Sequence, residues 1–142
     1  MRLVFQGHTN SRTVPVAVSD LGRRCRGRHG DTGCFVHLGT WTENSGVLSV
    51  RFQPTIYLNN ALAGSARADA LQHEQRHYTD FRRRATQMQR DLTAAIRARR
   101  DPQMDARWRW FLYYLCMDSA AFHRSIGAPV EICSQPSGAR PS

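Results

Sequence analysis

The chain has 142 residues, 41% of them hydrophobic, and a formal net charge of +9 carried by twenty basic residues that are all arginine. That length and apolar content allow one domain with a modest core, and no run of eighteen apolar residues exists to span a membrane. The stretch from Met1 to Val18 lacks the positive-then-apolar pattern of a secretion signal, and the charge permits an anionic partner without choosing between nucleic acid, an envelope surface and an acidic inhibitor.

Two short extended runs come first, Leu3 to Phe5 and Val14 to Val18, separated by polar turn residues. Residues 20 to 34 are rich in Gly, Arg and Asp without apolar period and read as an exposed loop. The four cysteines, Cys25, Cys34, Cys116 and Cys133, form an even set that fits two disulfides and an oxidising compartment. Local pairing, Cys25 with Cys34 and Cys116 with Cys133, is the simplest of the three connectivities. A different use is a small structural zinc module at Cys25, His29, Cys34 and His37 that would bind nucleic acid through its basic surroundings. Its spacing matches no zinc-finger class, so the disulfide is the favoured reading and nucleic acid the disfavoured partner.

Phe35 to Trp41 and Val47 to Phe52 read as a hairpin about Glu43-Asn44-Ser45-Gly46. Leu48, Val50 and Phe52 alternate with Ser49 and Arg51, as in a half-buried strand. Thr55 to Leu58 continues extended. The stretch from Val47 to Leu58 is expected to offer an edge that binds a substrate backbone by strand addition.

The period then changes. Ala66 to about Arg99 reads as one long helix with Ser65 as N-cap. Its apolar stripe runs through Leu71, Tyr78, Phe81, Ala85, Met88, Leu92 and Ile96. Glu74 falls near the middle of that stripe, where a carboxylate is costly unless something uses it. His73 and His77 fall toward one edge. Together they spell His73-Glu74-x-x-His77. Histidines four apart stand one turn above each other, so both rings can reach one zinc ion. The intervening glutamate then lies where it can take a proton from a metal-activated water. The helix arginines read as a solvated face.

Asp101-Pro102 breaks the helix, and a second spans about Met104 to Ile126, with Trp108, Phe111, Leu112, Leu115, Phe122 and Ile126 inward. Gly127 and Pro129 end it. The segment from Ser134 is rich in Pro, Ser and Gly and reads as a disordered tail after a single domain over residues 1 to 133. Catalytic zinc usually takes three protein ligands. Asp118, a carboxylate on an apolar helix face, is the favoured third ligand. Asp80 is the local rival, more suited to orienting a histidine N–H. His123 and Glu131 remain further options.

The residues His73-Glu74-Gln75-Arg76-His77 on a long helix resemble the zincin metallopeptidases, and more narrowly the predicted zinc-dependent proteases secreted by bacteria. The likeness covers about residues 47 to 126. Arg83 stands where metzincins place their third ligand, so it does not extend to that class. The resemblance implies a compact α+β domain, a small antiparallel sheet on two long helices, with His73 and His77 as zinc ligands and Glu74 as general base. It further implies an exported or periplasmic bacterial enzyme acting on a peptide or protein substrate. Its small size suits a toxin or effector, and its basic charge an acidic inhibitor or immunity protein as a further partner. The alternative is a secreted, disulfide-stapled binding or inhibitor protein that keeps a degenerate HExxH.

Overall fold

A computed structural model describes residues 1–26 and 30–142. The fold is α+β, with elements in the order β1 (Arg2–Gln6), β2 (Arg12–Val16), α1 (Val18–Arg24), β3 (Gly33–Val36), β4 (Thr40–Asn44), β5 (Val47–Arg51), β6 (Thr55–Asn59), α2 (Gly64–Arg97) and α3 (Met104–Ser125). In place of one antiparallel sheet there are two of three strands, ordered β1-β5-β4 and β2-β6-β3. The second is mixed, since β2 runs parallel to β6 and β3 antiparallel to it. The chain divides into two compact units, Val4–Thr79 and Asp80–Ser142 with Met1–Leu3.

In the unit Val4–Thr79, β6 is the central strand. Its residues Thr55 to Leu58 are all buried. Side chains alternate across a sheet, and both faces of β6 are covered. Tyr57 joins Leu21 of α1 and the Cys25–Cys34 pair in one cluster. Ile56 and Leu58 join Ala70 of α2, with Phe35, Leu62 and Leu71 around them. Two expectations change here. The stretch 20–34 is not wholly an exposed loop, because Val18–Arg24 is helical and Leu21 is fully buried. One apolar residue is too little to show a helical period in sequence. Nor does Val47–Leu58 supply an edge, because β5 and β6 are each the middle strand of their sheet.

The hairpin forms between β4 and β5, with Glu43 opposite Leu48 and Asn44 opposite Val47. The strand expected over Phe35 to Trp41 is two strands, with Leu38 between them at φ 48°. That left-handed residue turns the chain from one sheet to the other.

The unit Asp80–Ser142 contains the second part of α2 and all of α3. Phe81 meets Phe111, with ring centroids 6.2 Å apart, and Trp108 stacks obliquely on Phe111 at 5.4 Å. Asp91 lies near Arg107 at 3.8 Å and Arg84 on Asp118 at 2.8 Å. These pairings run in opposite directions from the connecting loop, so the two segments form an antiparallel helical hairpin. The buried face of α3 is Met104, Arg107, Trp110, Phe111 and Ala120. Leu112 and Ile126, expected inward, are 40% and 52% exposed. The Cys116–Cys133 disulfide ties the segment after α3 back to that helix. The tail from Ser134 holds no helix or strand, yet Arg140 donates to the Tyr114 hydroxyl at 2.7 Å and Arg107 to the main-chain oxygen of Ser142 at 3.2 Å.

Candidate functional site

The first turns of α2 position the HExxH residues. Ala70 seats that part of the helix on β6. Two turns later the Tyr78 hydroxyl donates to the His8 carbonyl at 3.3 Å, and the Tyr78 ring lies 6.0 Å from that of Phe35. Between these anchors, His73 and His77 are half-buried and Glu74 is only 5% exposed. The buried positions of α2, Ala70, Glu74, Phe81, Ala85, Met88, Leu92 and Ala95, recur at three and four residues. Glu74 thus stands in the core stripe of its helix.

The geometry of the histidine pair is specific. The two Nε2 atoms lie 3.2 Å apart, with the rings near edge-on at a centroid distance of 4.9 Å. Two nitrogens bound tetrahedrally to zinc at roughly 2.05 Å are separated by about 3.3 Å. The observed separation matches that spacing, and it is equally the length of a hydrogen bond between the two rings. Glu74 Oε1 lies 3.8 Å from His73 Nε2. Burial pushes the Glu74 carboxyl up from its usual 4.5 to about 7.

The other sequence candidates fall on Asp80–Ser142. Asp118 is gripped side-on by Arg84, Nε and Nη2 each at 2.8 Å, with Arg83 Nη2 at 3.3 Å. A bidentate guanidinium engages one lone pair on each carboxylate oxygen and neutralises the charge that would attract a metal. The cost of Asp118 on an apolar helix face is thus met by arginine. Asp80 lies 3.5 Å from Arg83. His123 Nδ1 is hydrogen-bonded to Glu131. Burial works to raise the Glu131 carboxyl, but hydrogen bonds from Ser119 and His123 outweigh it and hold the group below its usual range.

All four cysteines are paired as Cys25–Cys34 and Cys116–Cys133. With both sulfurs joined, Cys25 and Cys34 offer no thiolate to a zinc module, and His29 lies outside the described residues. His37 accepts a hydrogen bond from the Gly39 N–H at Nδ1, 2.9 Å away. Sequence reasoning missed the burial of Arg107, 7% exposed. Its signal was present, because Arg107 shares a helical face with Met104, Trp110 and Phe111.

Compared with known proteins, the chain matches no family model, no curated sequence and no solved structure.

Proposed function

We propose that this protein is a zinc-dependent metallopeptidase that hydrolyses peptide bonds at His73, Glu74 and His77. The observation that carries this reading is the 3.2 Å separation of the two Nε2 atoms beside a buried carboxylate in the same turn. A zinc ion held there would supply Lewis-acid polarisation of the scissile carbonyl and a water of lowered pKa. Glu74 Oε1 accepts the proton of the attacking water and delivers it to the departing amine nitrogen. His73 and His77 bind through Nε2.

We name no third ligand, because Asp118 is already engaged by two arginines. The paired cysteines support export to an oxidising compartment. No helix among the described residues is long and apolar enough to cross a membrane. The charge of +9 supports an acidic inhibitor or immunity protein as partner.

Elemental analysis of protein purified without a metal-binding tag tests this reading. One zinc per chain is expected in the native protein and in Asp118→Ala, with loss in His73→Ala and His77→Ala. Glu74→Gln should keep zinc and lose about 10²- to 10⁴-fold in cleavage of a fluorescent casein substrate. A native chain that takes up no zinc on incubation with the metal would sink the proposal and leave a disulfide-stapled binding protein.

A further inference from the structure

The two disulfides sit in different surroundings. Cys25 and Cys34 are 4% and 7% exposed and pack with the fully buried Leu21 and with Tyr57. Cys34 is also held within β3, opposite Tyr57 of β6. Cys116 and Cys133 are only half-buried, and each has an exposed apolar neighbour in the chain, Met117 and Ile132. A thiolate must reach a disulfide sulfur to break the bond, so access decides which of two disulfides opens first.

The segment that Cys133 fastens is attached to α3 on one side only. It runs from Ala128 to Cys133 without helix or strand. Its burial alternates, with Val130 and Ile132 exposed and Glu131 and Cys133 half-buried. The inward pair makes the attachments, Glu131 to Nδ1 of His123 and Cys133 to Cys116. At the start of the segment the Ala128 N–H donates to the His123 carbonyl at 2.9 Å. The outward apolar side chains bury little surface and so add little hold. Part-exposed hydrogen bonds are modest restraints in water, which leaves the covalent bond as the firmest one.

We propose that Cys116–Cys133 is a redox catch, opened by an external dithiol while Cys25–Cys34 stays closed, and that its opening frees residues 128–133 from α3. A thiolate of the dithiol attacks either sulfur of the pair, forming a mixed disulfide and expelling the other cysteine as a thiolate. The second thiol of the dithiol then displaces the remaining cysteine and leaves as a cyclic disulfide. Two electrons pass from the dithiol to the cysteine pair, which ends as two thiols after taking up the protons the dithiol gave up. In an oxidising compartment both bonds are closed. In a reducing one only the second opens, and Glu131 departs from His123 with the segment that carries it. The catch involves neither His73, Glu74 nor His77, so its test is separate from that of the metallopeptidase reading.

The native full chain is incubated with dithiothreitol, quenched at intervals with N-ethylmaleimide and mapped by peptide mass spectrometry. Cys116 and Cys133 are expected to be alkylated at least about tenfold faster than Cys25 and Cys34, because the buried pair reacts only when its surroundings open. The ¹⁵N heteronuclear NOE of the Val130 and Ile132 amides should fall when this pair is reduced. It should be low from the outset in the double variant Cys116→Ser, Cys133→Ser. Should that variant fail to fold, the comparison of oxidised and reduced native chain decides alone. Similar rates for the two pairs, faster opening of Cys25–Cys34, or an unchanged NOE once Cys116 and Cys133 are reduced overturns the proposal.

Discussion

Burial changes the acid–base behaviour of Glu74 and His37, and the two pull stability in opposite directions. Glu74 titrates near 7 in the folded chain against a usual 4.5. Between these values the folded state holds more proton than the unfolded one, so stability falls as pH rises through that window. The full penalty, present above pH 7, is about 3 kcal/mol. In metal-free protein, Glu74→Gln should match the native chain below pH 4.5 and exceed it by about that amount at pH 8. Urea unfolding at several pH values measures this, and a gap independent of pH would refute the assignment. His37 behaves conversely. Burial first, and then the charge of Arg26, lower it from 6.5 to about 4. Its stabilising contribution is complete above 6.5 and is lost as pH falls toward 4, because the unfolded chain takes the proton first. His37→Asn should remove that acid-side loss while leaving the Glu74 effect in place.

Among the elements, the close approach after β1 and the β4–β5 turn make different demands on glycine. Gly7 has φ +91°, and a Cβ there would lie 1.9 Å from the Phe52 carbonyl oxygen. The same strand contact includes the Phe52 N–H donating to Gln6 O at 3.0 Å. Gly7→Ala therefore strains the backbone and also drives two main chains apart, a loss expected at about 2 kcal/mol or more. Gly46 has φ +76° but open space around it. It follows Ser45 at φ 51°, the pair of left-handed residues that a tight two-residue hairpin turn requires. Gly46→Ala should cost only the conformational penalty, about 1 kcal/mol. Thermal unfolding of the two variants side by side tests the ordering. The reverse order would show that the Phe52 contact yields easily.

At the scale of the whole molecule, the Cys116–Cys133 disulfide holds a segment that buries little apolar surface of its own, with Val130 and Ile132 exposed. Cys116 and Cys133 are 17 residues apart, and a closed loop of that length stabilises by about 3 kcal/mol in the chain-entropy account. Replacing both with serine should cost that much by denaturant unfolding.

Periodicity and residue chemistry determined much of this protein without a structure. The α+β class, α2 within two residues at each end, α3 almost to the residue, a hairpin about Glu43 to Gly46 and the local cysteine pairing were all legible, though Glu43 and Asn44 belong to β4 rather than to the turn. So was Glu74 within the buried stripe of its helix, because a 3.6-residue repeat carries face information along the chain. Tertiary structure decided the rest. Strand order, and with it the central place of β5 and β6, depends on pairings between residues far apart, which no local pattern encodes. Burial of α1 rests on Leu21 alone. A carboxylate on an apolar face can serve a metal or an arginine equally well by sequence. Only the side-on grip of Arg84 shows which partner Asp118 has taken, because a partner is a matter of distance and orientation rather than of spacing.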